Sequence, residues 1–241
     1  MPAPSAIILL SGGLDSATVL ALARAQGLCC LTLSFDYAQR HRAEIHAAAA
    51  LSRALGAASH RTVILDPRAF AGSALTSDGV AVPRHRDAAT MNREIPATYV
   101  PARNLVFLAI ATATAESVGA SQIHIGINAV DYSGYPDCRP EFIDAFQRAV
   151  QLGTRAGAQS HPITVQAPLA RMSKAQIIRT GAALGVDFAL TTSCYDPSGT
   201  PQAPLACGTC DACILRREGF ATAGVPDPTR YARLAPHEPA P

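Results

Sequence analysis

The chain has 241 residues, 49% of them hydrophobic, with 20 Lys+Arg against 18 Asp+Glu and a formal net charge of +2. That length and apolar content suffice for one large packed domain and exclude a disordered or fibrous chain. Near-neutral charge without a basic run predicts no direct nucleic-acid contact, so a small polar ligand is the expected partner.

The N-terminal stretch Met1-Pro2-Ala3-Pro4-Ser5 lacks a basic leader, and the apolar run behind it is far too short for a signal or a membrane span. A cytoplasmic protein without membrane contact is expected. Cysteine usage agrees: four of the seven cysteines fall between positions 194 and 213, which suits reduced thiols and a metal better than a disulfide framework.

In chain order, Ala6-Ile7-Ile8-Leu9-Leu10 reads as a buried strand. It leaves through Ser11, Gly12 and Gly13 and enters a helix through Asp15 and Ser16, either of which suits a helix cap. A tight strand-to-helix turn explains one glycine and one cap. Two glycines flanked by two serines suit a phosphate site better, with backbone N–H groups and the positive end of the helix facing the anion. Neither a G-x-x-x-x-G-K-[ST] nor a G-x-G-x-x-G motif occurs, so any nucleotide must use this loop.

Further strands are expected at 28–35, 61–65, 122–127 and, more weakly, 162–167. Helical patterns at 16–26, 42–55, 103–118 and 140–152 each stop at a glycine, Gly27, Gly56, Gly119 and Gly153. Alternating strands and helices predict a doubly wound, mainly parallel α/β sheet. Ligands in such folds bind at the carboxyl ends of the strands. That edge carries Asp36-Tyr37-Ala38-Gln39-Arg40-His41 and the run from Asn128 onward, and the long connection 66–98 reads as a functional loop.

The run Asp131-Tyr132-Ser133-Gly134-Tyr135-Pro136-Asp137-Cys138-Arg139 is dense in groups able to stack on and hydrogen-bond a flat heterocycle. Ser173 is placed to cap a helix whose first turn holds Lys174, a cation facing the positive end of the dipole; a phosphate partner or plain solvent exposure would each accommodate it. Arg103 and Asn104 likewise open a helix. Finally Cys207, Cys210 and Cys213, with Cys194 thirteen positions upstream of Cys207, supply the four thiolates of a structural zinc site; an iron–sulfur cluster shares the spacing. The expected division is a nucleotide domain at 1–190, a small cysteine module at 191–224 and a tail at 225–241, extended or frayed.

The S-G-G-x-D-S loop resembles that of the N-type ATP pyrophosphatases, which cleave ATP between the α and β phosphates and adenylate a substrate oxygen. Tyr37-Ala38-Gln39-Arg40-His41, Ser73-Ala74-Leu75-Thr76 with Val82-Pro83, Thr98-Tyr99-Val100-Pro101-Ala102-Arg103-Asn104, the 131–139 run, Ser193-Cys194-Tyr195, the cysteine knuckle and Asp227-Pro228-Thr229 narrow the resemblance. Together they are similar to the 7-cyano-7-deazaguanine synthase family.

The resemblance implies an enzyme of queuosine biosynthesis, a carbon–nitrogen ligase that makes a nitrile from 7-carboxy-7-deazaguanine and ammonia with ATP, and that holds one structural Zn²⁺ per chain. It implies an ATP-binding stretch Leu10-Ser11-Gly12-Gly13-Leu14-Asp15-Ser16-Ala17-Thr18-Val19-Leu20, with Mg²⁺ on the phosphates. It makes Lys174 and Arg103 the charge-stabilising residues, Asp131, Tyr132 and Arg139 the grip on the deazaguanine, and Cys194, Cys207, Cys210 and Cys213 the metal ligands. A homodimer stays open. The alternatives are a tRNA-thiolating relative with a cysteine-bound cluster, which the charge disfavours, and a nucleotide sensor without turnover. The family usually has glycine where Ala38 and Ala102 stand and an aromatic where Thr192 stands; alanine is tolerable there if those backbones keep negative φ. The spacing from Cys194 to Cys207 is longer than the family's, predicting an inserted surface loop.

Overall fold

The apolar runs pair as parallel strands in a computed structural model, which describes residues 5–77, 79–91, 95–128 and 134–232. The strands are β1 (Ala6–Leu9), β2 (Cys30–Asp36), β3 (Ser59–Ile64), β4 (Gln122–His124) and β5 (Thr164–Gln166), in the order β3-β2-β1-β4-β5. Ile7 pairs with Leu31 on one side and Ile123 on the other. The main helices are α1 (Leu14–Ala25), α2 (Ala43–Ala54), α3 (Arg103–Val118), α4 (Pro140–Gly153), α5 (Lys174–Ala183) and α6 (Asp211–Ala223). No helix among the described residues is long and apolar enough to cross a membrane.

Strand side chains alternate between two faces, and both are covered. Ile7, Leu9, Leu31, Leu33 and Ile123 pack with Leu108 and Ala111 of α3 and Val150 of α4. Ala6, Ile8 and Leu10 pack with Leu20 of α1, Leu51 of α2, Ile177 of α5 and Phe220 of α6. Burying each such Leu or Ile contributes about 1.5–3 kcal/mol, which explains why the central strands β1 and β2 read as buried apolar runs. The fourth and fifth strands end earlier than expected. Beyond His124 the ladder gains one more bond, from Ile125 N–H to the Gln166 carbonyl at 2.9 Å, before Gly126 passes close against the start of α1.

After β3 the chain returns to the opposite side of β1, so connections leaving β1 and β4 diverge and open a crevice at their carboxyl ends. The 11–16 loop and Asn128 follow these two strands.

The spacer between Cys194 and Cys207 forms an exposed antiparallel hairpin, β6 (Ser198–Thr200) with β7 (Ala203–Leu205), as the expected surface insertion requires. The long 66–98 connection supplies part of the module's wall: Ala74 and Val82 cluster with Cys194, Ala206, Cys210 and Cys213. His85 N–H bonds the Thr209 carbonyl at 2.8 Å, while Arg84 pairs with Asp196 and Arg86 with Asp211. The beginning of the tail is tied down, Ala206 N–H donating to the Arg230 carbonyl at 2.8 Å. Arg216, 2% exposed, pairs with Asp227 at 3.1 Å.

The condition under which alanine fits easily at these two positions, a negative φ, is not met. Ala38 and Ala102 have φ of 56° and 53°, in the left-handed region where a Cβ crowds the carbonyl at about 1–2 kcal/mol. Side-chain acceptors hold both backbones there: Asp36 takes the Ala38 N–H at 3.1 Å and the Tyr99 hydroxyl takes that of Ala102 at 3.0 Å. Glycine removes the clash but adds unfolded-state entropy. Ala38→Gly and Ala102→Gly are each expected to stabilise the chain by about 0.5–1 kcal/mol, raising Tm by about 1–4 °C in a thermal melt. A lowered Tm would contradict the left-handed assignment.

Candidate functional site

The 11–16 loop makes its turn by close backbone approach. Gly12 has φ +91°, and a Cβ there would stand 2.3 Å from the Glu44 carbonyl oxygen. Across the crevice, a Cβ on Gly126 would stand 3.1 Å from the Ser16 nitrogen. The serine hydroxyls meet at 3.0 Å, and Ser16 also donates to the Gly13 carbonyl at 3.1 Å. Neither Asp15 nor Ser16 caps the helix. α1 starts at Leu14, Gly13 is the cap residue and no side chain caps it. The N–H groups of Leu14, Asp15 and Ser16 bond no described acceptor, an uncapped helix start suited to an anion.

Asp15 instead turns to Lys174, whose Nζ lies 3.0 and 2.7 Å from its two carboxylate oxygens. Asn128, fully buried after β4, donates to the same carboxylate at 3.3 Å. Lys174 thus meets a carboxylate rather than plain solvent. Its helix is opened by the expected Ser173 cap, with Gln176 completing a capping box. Its stem runs over Gly219 of α6, where a Cβ would come within 2.5 Å of Lys174 Cγ.

A cavity of about 260 Å³ joins this cradle to an aromatic half. There Arg103 donates to the Tyr37 hydroxyl at 3.3 Å, and Asp137 accepts the Asn104 N–H at 2.8 Å, fixing the start of α3. Phe107 stacks on Phe35 at 3.9 Å between ring centroids, and the Tyr135 hydroxyl meets Thr98 at 3.0 Å. Burial pushes the Tyr37 hydroxyl pKa up, against the pull of Arg103, so it stays a neutral partner. Burial likewise pushes the Glu44 carboxyl up to about 7, again against Arg103.

Of the expected site residues, Leu10, Ser11, Gly13, Leu14, Asp15, Ser16, Arg103 and Lys174 line this one cavity. Gly12 packs beneath it, its carbonyl accepting the Thr192 N–H at 2.9 Å. Ala17, Thr18, Val19 and Leu20 are buried in α1 and do not reach the lining. Arg139 lies exposed at the start of α4, outside the lining. Asp131 and Tyr132 fall outside the described residues. Sequence reasoning missed Asn128 and Glu44 as site residues. Asn128 carried a signal in its position just past a strand end; Glu44, an acid in a helix's first turn, looked like ordinary dipole compensation.

The module forms another wall, through Ser193, Tyr195, Ala212, Leu215 and Arg216. Behind it the sulfurs of Cys194, Cys207, Cys210 and Cys213 all lie within 4.8 Å of one another. Backbone N–H groups point at them: Cys207 and Asp196 donate to Cys194 Sγ at 3.2 and 3.3 Å, and Cys210 to Cys207 Sγ at 3.4 Å. Such donors stabilise thiolates, so the cluster fits a cation held by four sulfurs.

A family model described as queuosine biosynthesis protein QueC matches residues 5–224. Among curated proteins, the 7-cyano-7-deazaguanine synthase of Anaeromyxobacter dehalogenans is 58% identical over 95% of this chain and 96% of its own. That of Thiobacillus denitrificans is also 58% identical, over 95% and 99%, and that of Pseudomonas savastanoi pv. phaseolicola is 55% identical over 94% and 95%. Among solved structures, NMN synthetase from Francisella tularensis overlaps 93% of this chain and 79% of its own with a TM-score of 0.49 at 17% identity. With the family matched across nearly the whole chain, and with relatives more than half identical end to end, the chain belongs to the QueC family of queuosine biosynthesis proteins.

Proposed function

We propose that the chain is a 7-cyano-7-deazaguanine synthase, converting 7-carboxy-7-deazaguanine, ammonia and ATP to the nitrile, AMP and pyrophosphate. One observation carries this reading: an uncapped helix start, two cationic side chains and an aromatic half share a single cavity. The site needs an anion at one end and a flat ring at the other.

A carboxylate oxygen is a poor leaving group until it attacks the α phosphorus and becomes an acyl adenylate. The leaving pyrophosphate would be held by the loop hydroxyls and the N–H groups of Leu14, Asp15 and Ser16. Asp15 would hold a Mg²⁺ ion, which would offset the charge of those phosphates. Lys174 and Arg103 offset the charge that develops on phosphate and acyl oxygen. Ammonia then opens the adenylate to an amide. The amide oxygen occupies the carboxylate's former position, attacks a second ATP and leaves as AMP, giving the nitrile. Asp131 and Tyr132, with Tyr135, are assigned to the ring; Arg139 is not, since it lies outside the cavity.

We assign zinc to the four cysteines. Tetrahedral Zn–S bonds of about 2.3 Å set sulfurs about 3.8 Å apart, and Cys207 and Cys213 lie 4.0 Å apart. A four-iron cluster would spread its ligands more widely. Structural zinc contributes about 10–16 kcal/mol, comparable with a domain's whole stability of about 5–15 kcal/mol.

Purified protein is expected to be colourless, with about one zinc per chain by elemental analysis, and Cys210→Ser to lose both zinc and the cooperative melt. Brown, iron-containing protein would contradict the assignment. Incubation with ATP, Mg²⁺, ammonia and 7-carboxy-7-deazaguanine is expected to yield AMP and a product of nitrile mass; no substrate-dependent AMP would sink the synthase reading. Asp15→Ala is expected to lower that AMP release at least about 10²-fold with zinc content unchanged, and undiminished turnover would remove Asp15 from the mechanism.

A further inference from the structure

One carboxylate at the cavity is left without a hydrogen-bonding or ion-pair partner among the described residues: Glu44, in the first turn of α2. Its carbonyl lies beneath Gly12, so it stands beside the phosphate cradle. A carboxylate next to an anion site is unfavourable unless it meets a cation or a proton. Glu44 also borders a side pocket of about 20 Å³. That volume admits one water-sized particle, which needs about 10–15 Å³, and nothing as large as a substituted amine.

Tyr37, Gln39, Arg40, His41, Tyr195 and the thiol of Cys194 are the polar groups around Glu44 in that pocket, and Arg103 faces it from α3. Most are already committed. The Gln39 amide bonds the backbone of Tyr37 and Phe35 at 3.0 and 3.1 Å, Arg40 reaches the Ala74 carbonyl at 3.4 Å and Arg103 holds the Tyr37 hydroxyl, while His41 faces Asp196 at 3.6 Å with its Nε2 in no hydrogen bond to a described residue. Glu44 remains as the charged acceptor, in a pocket that Tyr37 and Tyr195 also line.

We propose that this pocket is the ammonium site and that Glu44 is the base that deprotonates the reacting nitrogen. The assignment rests on the synthase reading. Ammonium gives a proton to the Glu44 carboxylate; the freed lone pair forms the C–N bond, the bond from carbon to the AMP oxygen breaks, and AMP leaves with that electron pair. The nitrogen's surplus proton and that on Glu44 pass to solvent. When the amide oxygen takes the second adenylyl group, the nitrogen becomes a protonated imidate and loses one of its two protons to solvent; it then gives its remaining proton to Glu44. The N–H pair then becomes the last C–N bond of the nitrile as AMP departs. One base, beside one nitrogen, serves both steps.

The test separates adenylation from nitrogen chemistry in Glu44→Gln. Exchange of labelled pyrophosphate into ATP, dependent on 7-carboxy-7-deazaguanine, needs no nitrogen and is expected to stay within a few-fold of the unsubstituted chain. Nitrile formation with ammonium is expected to fall about 10²–10⁴-fold. Glu44→Asp, which keeps a carboxylate, should recover part of the nitrile rate. Unchanged nitrile formation in Glu44→Gln, parallel loss of exchange, or equal losses in both variants would overturn the assignment. Absent exchange in the unsubstituted chain would instead contradict the synthase reading itself.

Discussion

The backbone of the 11–16 loop is pressed between α2 and the end of β4 so tightly that Gly12 has no room for a Cβ and one at Gly126 would be crowded, 3.1 Å from the Ser16 nitrogen. This packing sets the geometry of the rest of the site. It aims the start of α1, with three N–H groups that meet no described acceptor, into the crevice where the strand order reverses. The same approach brings Glu44 from α2 and Asn128 from beyond β4 to opposite ends of one short loop. Helix dipole, hydroxyls and Lys174 then act on the same small volume, where low dielectric makes each stronger than in water.

The cysteine module bears on this cavity as a wall. Thr192, Ser193, Tyr195, Ala212, Leu215 and Arg216 line it, while its sulfurs lie behind them. Arg216 joins the layers: it lines the cavity, bonds Thr191 and the Phe188 carbonyl at 2.8 and 3.1 Å, and holds Asp227 of the tail. The Arg84–Asp196 and Arg86–Asp211 pairs bind the long connection to the same wall. A cation on the four sulfurs would thereby be coupled to cavity shape, since losing it would release the wall, the connection and the tail together.

Much of this was legible in the sequence where local chemistry and global fold agree. Apolar runs marked the strands, the paired glycines marked the cradle, and the cysteine spacing marked the module. What escaped was set by contacts between distant segments. Glu44 belongs to no motif, and only folding brings its carbonyl beneath Gly12. Asn128 was visible only as a residue past a strand end, because its partner Asp15 is 113 positions away. The left-handed backbones at Ala38 and Ala102 were unreadable for a different reason: alanine carries no mark of positive φ, and the acceptors that hold it there come from Asp36 and the Tyr99 hydroxyl. The cap was misread because Asp15 suits a cap by type, whereas its carboxylate has a stronger partner in Lys174.

The cavity's two halves, one for phosphate and one for a flat ring, are proposed to carry out two successive adenylations on the same carbon, with the amide as the intermediate between them. Supplying 7-amido-7-deazaguanine with ATP and Mg²⁺, in the absence of ammonia, tests this most directly by counting AMP against nitrile. One AMP per nitrile is expected from the amide and two from the carboxylic acid. An amide that is not turned over, or equal AMP counts from both starting compounds, would contradict it.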